Sequence, residues 1–159
     1  MPRYDLTNLN ECIVCEIRNG SKRLFLTLLY RSPSQDFDEF TLFKRKWEET
    51  IININNCSPT MSVCIGDFNA RNSNWWPEDT TNSQGIDLEE LSSQYGLHQI
   101  IDKPTHILSD SASCIDLIFT SSPNCISKSG VFPSLVSTFK HQLLHAKIQF
   151  KIPFPPAYN

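Results

Sequence analysis

No apolar run in this 159-residue chain approaches the roughly 20 residues that a membrane-crossing helix requires. The opening stretch, MPRYDLTNLN, lacks the apolar core of a secretion signal. Positive charge is not in surplus: 14 Lys and Arg stand against 17 Asp and Glu, a formal net charge of −3. That excludes a chain-wide basic surface of the kind that dominates phosphate binding, and leaves only a local one such as Lys44 to Lys46. Internal repeats and low-complexity tracts are missing too. Six cysteines are present, yet without a secretion signal they are expected to be reduced, inside a cell. Cys12 and Cys15 form a CxxC within a strand-like run, where an odd offset sends them to opposite faces. No second pair follows at zinc spacing, so a structural zinc site is not expected.

What is there fits one globular domain: 40% hydrophobic, 19% charged, and long enough to bury a core. Glu11 to Arg18 and Arg23 to Tyr30 read as strands joined by an Asn19-Gly20 hairpin turn. Asp36 caps a predicted helix of about five turns, with Phe37, Phe40, Phe43, Trp47, Ile51 and Ile54 at helical spacing. Met61 opens another strand, and a second helix is predicted to stop at Gly96. Leu97 to Ile101 reads as a strand. Thr105 to Leu108 and Cys114 to Thr120 read as an antiparallel pair around the polar loop Ser109 to Ser113. Gln142 to Lys151 alternates as a final strand. Two helices among about seven strands predict an α/β layered sandwich with mixed, mostly antiparallel sheets. The domain is expected over residues 1–152, with Pro153 to Asn159 a proline-rich exit linker.

The chemistry centres on Met61 to Asn74, MSVCIGDFNARNSN. Its apolar run stops at Gly66 and then presents Asp67 and Asn69 two residues apart. If strand alternation continues, both point one way and Phe68 turns into the core. A carboxylate and a carboxamide side by side at a strand end suit metal-assisted phosphoryl chemistry, the acid acting on a water and the amide on an oxyanion. In isolation the tripeptide also reads as an ordinary turn. A second acid, Asp116, sits among Ile115, Leu117, Ile118 and Phe119, where an unpaired carboxylate is costly. It needs a partner.

Several stretches combine in order: LLYRSP around Tyr30, GDFNARNSNWW, PTH at Pro104 to His106, CIDLIFT, and His141 directly before QLLHAKIQF. Together they resemble the endonuclease domain of jockey-like, LINE-type non-LTR retrotransposons, from about Asn10 onward. That domain belongs to the endonuclease/exonuclease/phosphatase superfamily. The resemblance implies a four-layer α/β sandwich, here partial and lacking its N-terminal strands. It implies Mg²⁺-dependent hydrolysis of a DNA phosphodiester, nicking the target, in a nuclear polyprotein that also carries a reverse transcriptase. By resemblance, Asp67 acts on the water, Asn69 and His141 act on the phosphate, and Asp116 orients His141. Tyr30 would bring its hydroxyl to the scissile phosphate, and Thr105 would lie near it.

Two departures matter. Lys140 stands where the superfamily has an aspartate, and the usual metal-binding glutamate has no counterpart among Glu11, Glu16, Glu39 or Glu48. The metal ligands are therefore left open, and the chain alone is expected to be inactive. The alternative is a catalytically inactive remnant that acts, if at all, as a binding module. His98 and His106 are expected to be structural or exposed, and His145 has no obvious partner. Trp75 and Trp76 could stack on bases, with core packing expected of at least one.

Overall fold

The computed structural model describes residues 1–136 and 138–150. Alternating apolar residues make Cys12–Asn19 (β1) and Lys22–Tyr30 (β2) an antiparallel hairpin, turned at Gly20 with φ 57°. Helix α1 (Phe37–Asn56) starts at Asp36, whose carboxylate accepts from the Glu39 N–H while Glu39 reaches back to the Asp36 N–H. This reciprocal cap satisfies donors that helix ends otherwise leave orphaned. One stripe of α1 (Phe40, Phe43, Trp47, Ile51 and Ile54) is buried, each side chain contributing about 1.5–3 kcal/mol. Phe37, expected on that stripe, is exposed. The buried stripe lies on a sheet face shown by Thr27 and Cys64.

Strand β3 (Met61–Asp67) runs parallel to β2, so β2–α1–β3 is a crossover unit. Helix α2 (Ser83–Gln94) is capped by the Asn82 side chain. The following strands are β4 (His98–Gln99), β5 (His106–Ile107), β6 (Ala112–Ser113) and β7 (Asp116–Thr120). A 3₁₀ turn at Pro123–Cys125 leads to β8 (Ile126–Phe132) and then β9 (Leu143–Ile148). The main sheet has the order β1-β2-β3-β7-β4, while β5 pairs with β6 and β8 with β9. Most pairings are antiparallel, as expected of this α/β architecture.

The pairing expected between Thr105–Leu108 and Cys114–Thr120 is not formed. β5 closes on β6, and β7 enters the interior of the main sheet between β3 and β4. The reason is burial: Leu117, Ile118 and Phe119 are almost wholly enclosed, which a two-stranded ribbon could not achieve. The strand expected over Leu97–Ile101 shortens to two residues; Ile100 still donates its N–H to the Ile118 carbonyl, and the Gln99 side chain then takes both the N–H and the carbonyl of Ile101. Strand β8 was not expected: its ISKSGVF carries two serines and a glycine, poor strand formers, and is only half-buried. The predicted final strand ends at Ile148, and the linker from Pro153 to Asn159 lies outside the described residues. All six cysteines are free, and none of the helices is long and apolar enough to cross a membrane, among the described residues. The Lys44 to Lys46 cluster is spent on Asp87, Glu49 and the Asn8 carbonyl.

Candidate active site

The site begins where β3 ends. An added Cβ at Gly66 would sit 1.9 Å from the Leu29 carbonyl oxygen, so only glycine lets β3 run this close to β2. Asp67 is the last strand residue. Phe68 then turns inward, fully buried, with its ring edge-on to Trp47 at 6.3 Å and to Phe119 at 5.2 Å. Asn69 has a φ of 47° and donates its N–H to Asp67 Oδ1 at 3.0 Å. Strand alternation therefore does not set Asn69 beside Asp67. A left-handed turn after the last strand residue does, as the turn reading of this tripeptide has it.

The second half comes from β7. Tyr30 pairs with Asp67 and Asp67 with Asp116, which places the three in one row across the sheet. The start of β7 is held from beneath: Thr105 Oγ1 accepts from the Ile115 and Asp116 N–H groups at 3.1 and 2.9 Å, and Asp79 accepts from the Cys114 N–H at 2.8 Å. Thr105 is fully buried, so its place is under Asp116 and it has no surface to offer a substrate. His141 Nδ1 lies 3.0 and 3.2 Å from the two Asp116 oxygens, an arrangement that fixes the ring and leaves Nε2 unengaged among the described residues. Donor atoms of Asp67, Asp116 and His141 all lie within 4.8 Å of one another.

Electrostatics fit the geometry. Burial, and then the neighbouring Asp116 charge, push the Asp67 carboxyl above its usual range, while the Asn69 N–H and His141 pull it back. His106, not expected at the site, sets its ring against that of His141, tilted by 57° with centroids 4.7 Å apart, and its backbone bridges to His141. Burial first, then His141, hold the His106 pKa below the ordinary value. Tyr30 stays 44% exposed at the end of its strand. Lys140 is exposed, and its carbonyl accepts from the Ile107 N–H at 2.9 Å. No glutamate joins the acidic cluster among the described residues. Trp75 packs into the core, edge-on to Phe119. His98 is exposed, and His145 stacks on Phe132 in the β8–β9 pair.

Of the residues singled out in the sequence, the structure brings Asp67, Asp116 and His141 together, with Asn69 in the turn after Asp67. Sequence reasoning missed Arg31, Asp79 and His106, whose roles arise only from contacts distant in sequence. The one available signal was the PTH motif, which drew attention to Thr105 and not to the histidine beside it.

Asp67 and Asp116 lie opposite each other on the adjacent central strands β3 and β7, on the sheet face away from α1, and His141 joins them from the segment before β9. The α/β fold that carries them is that of the endonuclease/exonuclease/phosphatase proteins. Residues 24–140 match the profile of the family described as "Endonuclease-reverse transcriptase", and the chain belongs to that family. In three dimensions it is similar to the endonuclease domain of TRAS1, a telomere-specific non-LTR retrotransposon. The TM-score is 0.74 at 22% identity, over 95% of this chain and 68% of that one. It is also similar to the 3′ phosphatase NExo from Neisseria, bound to a product DNA hairpin: TM-score 0.64, 13% identity, 94% of this chain and 72% of that one. A 3′-5′ exonuclease structure of NExo from Neisseria meningitidis gives 0.62 at 14% identity, over 88% and 65%. The chain thus spans about two thirds of the length of these structures. Among curated proteins none matches it.

Proposed function

We propose that this chain is part of a Mg²⁺-dependent DNA endonuclease that nicks its target by phosphodiester hydrolysis, within a nuclear polyprotein bearing a reverse transcriptase. The observation that carries this reading is the convergence of Asp67 with the Asp116–His141 pair. Asp67, partly buried beside Asp116, orients the attacking water. His141, its Nδ1 held by Asp116, presents Nε2 to a phosphate oxygen, and Asn69, which gives one amide N–H to the Arg31 carbonyl, acts on the phosphate with the other. Tyr30, in the same row, offers its hydroxyl to the phosphate.

A divalent cation fits the residues present. Asp67 and Asp116 are like charges brought together in a half-buried place, and they offer the anionic oxygens a Mg²⁺ ion requires. These two carboxylates would hold it. When bound, such an ion supplies positive charge to the phosphate oxygens. The charge of Lys140 and the absence of a glutamate from the cluster favour a second reading, an inactive remnant that binds without cleaving.

Nicking of supercoiled plasmid separates the two. The chain alone is expected to give no measurable nicking in Mg²⁺, with or without Lys140→Asp. A version extended upstream is expected to nick, and its His141→Ala variant is not. Equal, background-level nicking by the extended form and its His141→Ala variant would leave the remnant reading standing.

A further inference from the structure

Arg31 follows the strand-end tyrosine and is 2% exposed, yet among the described residues none of its hydrogen bonds reaches a carboxylate. A buried guanidinium without a paired anion is costly unless its donors are satisfied. Here they go to neutral oxygens of one neighbourhood. Nε donates to the Phe68 carbonyl and one terminal nitrogen to the Asn69 carbonyl, each at 2.5 Å. The other terminal nitrogen donates to the Ser32 carbonyl at 3.1 Å and to Gln35 Oε1 at 3.4 Å. Phe40 closes the remaining side, its ring centroid 5.4 Å from the guanidinium carbon.

The backbone completes the clasp. The Arg31 N–H donates to the Asp67 carbonyl at 2.8 Å, and Asn69 Nδ2 donates to the Arg31 carbonyl at 2.7 Å. Four hydrogen bonds therefore join this one residue to the three residues Asp67 to Asn69. The turn has a left-handed φ at Asn69, which asparagine tolerates better than most residues, and these four bonds add to the one that the Asn69 N–H gives to Asp67 Oδ1.

We propose that Arg31 is the positioning residue of the Asp67–Asn69 turn: its planar fork pins successive carbonyls and so aims the Asp67 carboxylate and the Asn69 amide. The catalytic consequence rests on the endonuclease reading above, whereas the clamp does not. Lysine cannot replace the fork, because an ammonium on a flexible stem reaches one carbonyl where the guanidinium holds two.

The test uses Arg31→Lys and Arg31→Met, with Arg31→Ala in the presence and absence of added ethylguanidinium. The readouts are amide hydrogen exchange at Asn69, compared with Val63 and Ile118 in the neighbouring strands, and kcat and KM of the nicking-competent extended form. In the Lys and Met variants, exchange at Asn69 is expected to quicken about ten- to a hundredfold, the loss of a charge-assisted hydrogen bond. Val63 and Ile118 are expected to keep their protection. The kcat should fall about a hundredfold with KM little changed, as misplacement of a reacting group implies. Ethylguanidinium should restore protection at Asn69 in Arg31→Ala. If Arg31→Met does not fold, Arg31→Lys carries the test, since it keeps the charge and the stem. Unchanged protection at Asn69 in Arg31→Lys, or an equal loss at Asn69, Val63 and Ile118, would overturn the proposal. If the unmutated extended form does not nick, the endonuclease reading falls, and exchange still decides the clamp.

Discussion

A carboxylate that orients a histidine must be both charged and fixed, and Asp116 is held by its own N–H on Thr105 as well as by His141. Asp116→Asn keeps the shape but loses the charge that steadies the ring. It is expected to lower nicking by the extended form about 10–100-fold. His141→Ala removes the group facing the phosphate, and a loss of about 10²–10³ is expected. Equal, undiminished rates in both variants would remove the pair from the mechanism. Another acid contributes to stability. Glu16, buried on β1, receives Arg3, Arg18 and Arg23, each at 2.7 Å. Arg23 and then Arg18 pull its pKa down to about 2 from the ordinary 4.5, against the opposing effect of burial. A depressed acid contributes stability that is complete above its unfolded pKa and lost as pH falls through the folded one. Melting temperature should therefore decline between about pH 4.5 and about pH 2, and Glu16→Gln should flatten that part of the profile. At this scale the sequence was informative where a carboxylate ends or interrupts an apolar run, as Asp67 and Asp116 do, while Asn69 and His141 stood out by the family resemblance. It was silent on Arg31 and Asp79, because nothing local distinguishes a buried clamp from a surface charge.

Elements were legible in proportion to how much of their structure is local. The hairpin β1–β2 carries its own turn, and α1 carries its cap and stripe, so both stand where their patterns put them. The β7 pairing was not legible, because a continuous apolar strand says that it is buried but not between which neighbours. β8 escaped notice since its stability comes from β9 and not from its own composition. Two substitutions test this division. Asp36→Ala removes the side-chain half of the α1 cap and should lower unfolding free energy by about 1 kcal/mol in urea melts. Gly66→Ala should cost more, about 1–3 kcal/mol, because its methyl group must push the β2 carbonyl away. It should also depress nicking, since Asp67 is the next residue. A Gly66→Ala variant as stable as the parent would show that β2 and β3 part without resistance.

At the level of the whole molecule, part of one sheet face is left uncovered among the described residues. Ile13 pairs with Leu28 and Leu28 with Ile65, which sets these three on the face that also carries Tyr30, Asp67 and Asp116. Ile13 is 49% exposed and Leu28 50%, and with Cys12, Leu29 and Gly66 they line an open apolar crevice of about 410 Å³. The opposite face, under α1, is closed. An apolar sheet face left open to water favours association, because covering each of these side chains returns up to about 1.5–3 kcal/mol. The chain expressed alone is therefore expected to self-associate, with sedimentation velocity showing a weight-average mass that rises with concentration. Ile13→Lys and Leu28→Lys should each suppress that rise while leaving the melting temperature nearly unchanged, since half of each side chain already faces solvent. The extended form used for nicking should associate less if its additional residues cover the same face. A monomer with a sharp, cooperative melt across the concentration range would show that this open face is tolerated as it stands.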